Sequence, residues 1–405
     1  MKKLALGLLL AAPFLADAQS SLKPTIAQKA DALKDKVITW RRDFHEHPEL
    51  GNQEVRTAGI VAAHLRSLGI EVQEKVGYTG VVGVLKGGKP GPVVALRADM
   101  DALPIVEAND VPYKSQNPGV MHACGHDVHT ASLLGTSRIL SQLKNDFEGT
   151  VKLVFQPAEE KAPGGASIMI EQGALQNPAP HKMLGQHVAP NIPVGKIGFR
   201  EGMYMASADE LYLTVKGKGG HGAMPENCID PVLIASHIIV SMQQIISRNR
   251  NPRYPSVLTF GKVIANGATN VIPNEVYIEG TFRAMDEQWR AEGLEKIRKI
   301  AELTAEAMGG TCEVFIQKGY PFLQNEPELT RRMKGAAIDY MGQDNVVDLD
   351  IWLAAEDFAF YTHHVDACFY RLGTRNEERG IISGVHTPTF DIDENALEIG
   401  AGLMS

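Results

Sequence analysis

The chain has 405 residues, 44% hydrophobic and 22% charged, which suits two or three domains of roughly 150 residues and excludes wholesale disorder. Forty basic residues stand against 48 acidic ones, a net charge of −8, with no block of Lys or Arg. This balance excludes the electrostatic footprint of a nucleic-acid binder and points to a small molecule or short peptide as partner.

Lys2 and Lys3 precede an apolar run from Leu4 to Leu15 and then Ala16-Asp17-Ala18. The order reads as a secretory signal peptide over residues 1–18, cleaved after Ala18, and the run is shorter than the ~20 residues of a membrane span. A secreted or periplasmic protein without a membrane span is expected. Helices are expected over 26–45 and 52–68. Buried strands over 93–97 and 151–155 flank a helix over 128–143, and this alternation predicts the α/β class, a helix-covered and mainly parallel sheet. From Ser207 the pattern changes to strand 210–216, helix 231–247, strands 256–263 and 275–283, helix 288–308 and strand 311–318. That βαββαβ order predicts an inserted ferredoxin-like α+β unit. A helix over 328–341, a helix over 356–363, a strand over 368–372 and a last helix from Glu394 follow. One larger domain, in two parts over 19–206 and 319–405, is thus expected to be split by an insertion over 207–318.

Cys124, Cys228, Cys312 and Cys368 are far apart and form no C-x-x-C pair, which argues against a disulfide framework. The last three have apolar neighbours and read as buried packing. Cys124 lies in Met121-His-Ala-Cys-Gly-His-Asp-Val-His129, where a thiol and an imidazole two residues apart on a turn can face one ion. Gln156-Pro-Ala-Glu-Glu160 ends a strand with paired carboxylates, Gln186-His187 ends another, and Val385-His386-Thr-Pro388 follows a glycine turn. Taken singly, each is more simply a surface or core residue. Together they supply a thiolate, several imidazoles and two carboxylates at strand ends, a set suited to zinc or manganese. His45, Glu46 and His47 face apart on a helix and read as structural or supporting groups, as do His122 and His129. Gly217-x-Gly219-x-x-Gly222 matches the dinucleotide pattern only formally, because Pro225 and Pro231 interrupt the approach to the helix. No G-x-S-x-G elbow suggests serine hydrolysis.

Arg97-Ala-Asp-Met-Asp-Ala-Leu-Pro104, His122-Ala-Cys-Gly-His-Asp127, Pro157-Ala-Glu-Glu160, Gly217-Lys-Gly-Gly-His-Gly222 and Val385-His-Thr-Pro388 occur in this order. From about Thr39 onward the chain resembles the co-catalytic dinuclear metallo-amidohydrolases and metallopeptidases of the aminoacylase and glutamate carboxypeptidase type. It is most similar to the branch of hippurate hydrolases, indole-acetyl-amino-acid hydrolases and bacterial N-acyl-amino-acid amidohydrolases. The resemblance implies two divalent metal ions per subunit, zinc or manganese, with cobalt or nickel as alternatives. It implies that Cys124 bridges them, with Glu160 and His386 on one and His126 and His187 on the other. Glu159 is then the general base toward a water between the metals.

Asp99 stands where the wider superfamily carries a ligating histidine. His126 is expected to fill that place, and Asp101 to orient a ligating imidazole without touching metal. The resemblance further implies that His221, supplied by the partner subunit of a homodimer built through the inserted lid, donates to the oxyanion. Asn270 and Arg283 would hold the substrate carboxylate. The implied activity is hydrolysis of N-acyl or N-aroyl amino acids. The alternatives are a carboxypeptidase or dipeptidase on the same scaffold, or a non-catalytic periplasmic binding protein. In the resembling proteins the last helix continues for a few turns beyond the position of Ser405.

Overall fold

A computed structural model describes the backbone from Phe14 to Ser405 and the side chains from Leu22 onward. The expected signal peptide lies, through residue 13, outside the described residues. Helix α1 (Phe14–Glu46) begins twelve residues before the expected position 26 and accommodates Pro24; α2 (Val55–Ser67) follows. Next come β1 (Glu71–Val76), β2 (Gly80–Lys86), β3 (Lys89–Asp99), α3 (His126–Gln142), β4 (Glu148–Gln156), α4 (Gly165–Glu171), β5 (Lys182–Pro193), β6 (Ile197–Phe199) and β7 (Gly202–Met205). Residues 94–99 of β3 are buried but for a half-buried Val94, as expected of a strand covered on both faces. α3 is buried around almost its whole circumference, so it is a core helix and not a surface one.

After β7 the chain forms β8 (Asp209–Lys216), β9 (Gly220–His221), α5 (Pro231–Gln244), β10 (Ser256–Ile264), β11 (Val271–Ile272), β12 (Glu275–Ala284), α6 (Glu287–Ala307) and β13 (Thr311–Lys318). It then returns through β14 (Leu323–Asn325), α7 (Pro327–Met341), β15 (Val346–Asp348), α8 (Ala359–Thr362), β16 (Asp366–Arg375) and α9 (Asn395–Leu403).

The large sheet has the order β1-β2-β4-β3-β5-β16-β6-β15. Its centre, β4-β3-β5-β16, is parallel, and antiparallel pairs join β1 to β2, β2 to β4 and β16 to β6. One face packs on α1, α3 and α9 through Val37, Phe44, Leu133, Leu134, Tyr370 and Leu397. The other packs on α4 and α8 through Val154, Met169, Phe358 and Phe369. The inserted strands form a separate antiparallel sheet, β10-β12-β8-β13, with its own core of Leu211, Leu213, Ile278 and Phe282 against Ile234, Ile238 and Ile297. β8 alternates buried and half-exposed residues, the period-two signature of a sheet covered on one face. α5 starts where Asp230 accepts from the Val232 and Leu233 N–H groups, with Pro231 in the first turn.

Two expectations are corrected. The helix over 356–363 shortens to α8, because Glu356 and Asp357 turn inward onto the buried Arg97 instead of starting a helix. β5 does not end at His187; it runs on to Pro193 because β16 stays paired with it through Ala189 and again at Pro193. Among the described residues no helix is long and apolar enough to cross a membrane.

Both connections to the inserted sheet converge on one buried ion pair. Arg290 of α6 donates to both Asp209 oxygens, at 2.8 and 2.6 Å, and to the Gly319 carbonyl at 2.9 Å. Arg290→Ala strands the Asp209 carboxylate and should cost about 3–5 kcal/mol, read from denaturant unfolding. A second stability effect depends on pH. His64 packs edge-on to Trp40 with ring centroids 4.8 Å apart and donates from Nε2 to the Leu134 carbonyl at 3.3 Å. Burial lowers its pKa to about 4, against about 6.5 in an unfolded chain. In that window the unfolded chain binds the extra proton. The stability from the neutral ring is therefore complete above about pH 6.5 and is lost as pH falls toward 4. His64→Phe should flatten the acid limb of the stability curve by up to about one proton.

Candidate metal centre

The centre is assembled at one end of the parallel strands. Gly125 has φ +82°, and a Cβ there would come within 2.6 Å of Val188, so only glycine fits this turn. The turn presents Cys124 and starts α3 at His126. His386, itself at φ +62°, is tied to the same segment by its N–H, which donates to the Ala123 carbonyl at 2.8 Å. β5 supplies His187, and the segment after β4 supplies Glu159 and Glu160.

These side chains converge. Cys124 Sγ lies 3.5 Å from His187 Nε2 and 3.3 Å from His386 Nε2, and His386 Nε2 lies 3.0 Å from Glu160 Oε1. Two donor groups share Cys124: one with His126 and His187, the other with Glu160 and His386. Within each, the donor atoms lie within 4.8 Å of one another. Tautomers follow from the outer hydrogen bonds. His187 donates from Nδ1 to the Val188 carbonyl at 2.8 Å, and His126 Nδ1 is 3.1 Å from Asp101 Oδ1, so both turn Nε2 inward. Asp101 also accepts from the Glu159 and Glu160 N–H groups at 3.0 and 2.9 Å. One carboxylate thereby fixes an imidazole and the backbone of both glutamates.

Divalent cations fit this donor set. His126 Nε2 and Glu160 Oε1 are buried without a hydrogen-bond partner, which is costly unless something else satisfies them. Burial, then the charges of Glu160 and Glu159, holds the Cys124 thiol well above its usual range. Burial and then Glu356, Glu160 and Asp357 do the same to the Glu159 carboxyl. Against the cost of burial, Asp99 and Asp101 raise the His126 imidazole to about 10. Burial and then Arg371 push His187 well below its normal value. A concentration of buried acid with too little positive charge is what cations relieve.

Asp99 and His129 lie close to His126, yet both are already engaged. Asp99 accepts from Arg97 at 2.6 Å and pairs through its other oxygen with His129 Nδ1, while His129 Nε2 accepts from the Val188 N–H at 2.9 Å. Glu159 is 6% exposed; its Oε1 accepts from the Asp357 N–H at 3.3 Å and its Oε2 is 4.0 Å from His126 Nε2. The remaining candidates stand apart. His221 is exposed on β9, paired with Val271 of β11, and the Gly222 N–H donates to the Asn270 carbonyl at 2.8 Å. Arg283 is half-buried and donates to Thr281 Oγ1 at 3.1 Å. Among the described residues none of the three bonds to the cluster.

The sequence reading passed over the groups beneath the centre. Arg97 reaches Gln156, Asp99, Glu356 and Asp357 at 2.6–2.9 Å. A signal for it existed, since a guanidinium in a strand buried on both faces needs buried partners for its charge. His45 bonds Asp127 at 2.8 Å and Glu107 at 3.2 Å, a buried structural tie.

Residues 95–405 match peptidase family M20/M25/M40. The chain is similar to thermostable carboxypeptidase 2 of Saccharolobus solfataricus, 40% identical over 91% of this chain and 93% of that protein. It is similar to IAA-amino acid hydrolase ILR1-like 4 of Arabidopsis thaliana, 39% identical over 94% of this chain and 86% of that protein. Among solved structures, the Bacillus subtilis YXEP protein, a dinuclear metal binding peptidase from the M20 family, superposes with a TM-score of 0.77. That pair is 35% identical and covers 92% of this chain and 96% of the other. With a donor set fit for cations at the strand ends, the chain belongs to peptidase family M20/M25/M40 and is a hydrolase of amide bonds.

Proposed function

We propose that the protein hydrolyses the amide bond of N-acyl or N-aroyl amino acids, releasing a carboxylic acid and an amino acid. The observation that carries this is the pair of donor groups sharing Cys124, with a buried second carboxylate, Glu159, outside either group. In this reading Cys124, Glu160 and His386 hold one divalent cation and Cys124, His126 and His187 the other, zinc or manganese by ligand type. When bound, such cations would acidify a water and polarise the scissile carbonyl. Glu159 Oε2 takes the proton and returns it to the departing amine, while Oε1 stays on the Asp357 N–H. Glu160 cannot share this role, because its carboxylate faces Cys124 and His386. The signal peptide expected over residues 1–18 supports a reaction outside the cytosol, secreted or periplasmic.

The second reading, a carboxypeptidase or dipeptidase, is favoured by the similarity to a carboxypeptidase. Both need a group for the free carboxylate, the role proposed here for Arg283 and Asn270. A screen of hippurate, acetyl and indole-acetyl amino acids against dipeptides, with metal analysis of the purified protein, separates them.

His221 is proposed to act in a neighbouring copy's centre. β10 and β13 are the edges of the inserted sheet, and Val263 and Ile264 on β10 are 52% and 38% exposed, which favours edge pairing about a two-fold axis.

Glu159→Gln should leave metal content and folding unchanged and lower kcat by roughly 10²-fold or more, whereas Glu160→Gln should lower metal occupancy. Wild-type turnover by Glu159→Gln would remove it as base. For His221, heterodimers of His221→Ala with Glu159→Gln chains should regain activity that neither homodimer has. Verified heterodimers without activity, or an active monomer, would overturn action in trans.

A further inference from the structure

Arg371 has no role in the chemistry above, and its surroundings do not suit a purely structural cation. It sits on β16, paired across the sheet with His187 of β5 and with Gly198 of β6. Its guanidinium carbon lies 4.6 Å from the Trp352 ring, 5.2 Å from Phe369 and 5.6 Å from Tyr204. Nε donates to the Tyr204 hydroxyl at 2.7 Å and Nη2 to Met205 Sδ at 3.1 Å. The residue is 4% exposed, and among the described residues no carboxylate pairs with it.

The buried Arg41, Arg97 and Arg290 each meet carboxylates. Arg371 has a phenol, a thioether and three rings, so several of its five N–H donors lack a strong acceptor. A buried cation so placed is expensive unless an anion arrives. Arg371 lies beside the metal centre, since its in-register neighbour on β5 is the donor His187. Trp352, 44% exposed, lies over the guanidinium on the irregular segment between β15 and α8.

We propose that Arg371 forms an anion subsite on the acyl side of the centre, so that the favoured substrates are amino acids acylated by a dicarboxylic acid. The Trp352 ring gives the methylene chain of such an acyl group a flat apolar wall, and the guanidinium takes its distal carboxylate. This deepens the hydrolase reading and rests on it.

The test is calorimetric titration of the metal-loaded protein with glutarate and valerate, equal in length and differing by one carboxylate. Glutarate should bind about 10- to 100-fold more tightly. Arg371→Met should erase that difference, and should lower the ratio of kcat/KM for N-glutaryl over N-valeryl amino acids by the same factor. Arg371→Lys keeps charge and stem but loses the fork; it serves if the Met variant does not fold, and must shrink the preference. Equal binding of the two acids by the wild type, or a preference unchanged in the variants, overturns the proposal. Hydrolysis of no N-acyl amino acid, neutral or dianionic, counts against the hydrolase reading and leaves the binding comparison to decide Arg371.

Discussion

The centre depends on how buried negative charge is balanced. Asp99, Asp101, Glu159, Glu160, Glu356 and Asp357 crowd the ends of β3 and β4, and among them are bonded Arg97, which reaches Asp99, Glu356 and Asp357, and the His126 imidazole, which pairs with Asp101. One guanidinium does not neutralise them; burial pushes Asp357 up to about 8 even against Arg97. The parallel strands bring these acids together because each ends on the same side of the sheet. Without further positive charge the arrangement is poised against itself; on the proposed reading, cations on the Cys124 donors would balance this acid-rich floor.

That floor explains the separate behaviour of adjacent glutamates. Asp101 holds both of their N–H groups, so their backbones cannot shift independently, and the side chains diverge from a fixed base. Ala158 just before them has φ +50°, a conformation that non-glycine residues seldom adopt and that this anchoring sustains. The Glu54 carboxylate adds a third restraint by accepting from the Ala158 N–H at 2.8 Å. Such layered support would place the proposed proton acceptor, Glu159, to within a fraction of an ångström.

What the sequence disclosed divides along physical lines. Periodic elements were legible: α3, α6 and the four inserted strands appear near their expected bounds, because their apolar spacing reports a face that must be buried. The turn around Gly125 was legible as a motif, though not its reason, which is the approach of Val188 from a strand more than sixty residues later. Glu356 and Asp357 were misplaced in a helix because paired acids resemble a solvated first turn; only the long-range partner Arg97 turns them inward. Arg371 was hidden inside the apolar strand Cys368-Phe-Tyr-Arg-Leu372, where local pattern cannot say whether a guanidinium finds an acid or a set of rings.

The inserted sheet carries its own core, and it is the connection after β13, not the sheet itself, that bonds the floor, through the Tyr320 hydroxyl donating to the Glu159 carbonyl. The Asp209–Arg290 pair gathers its two connections onto one helix, so motion of the inserted sheet would concentrate at residues 206–208 and 319–322 rather than spread into β8 or β13. His221, Asn270 and Arg283 all belong to this unit, while the Cys124 donors, Glu159 and Arg371 belong to the other. On the proposed reading, the metal donors and the proton acceptor lie on the large sheet, and the groups proposed to hold the substrate's carboxylate and oxyanion lie on the unit joined to it through those two connections.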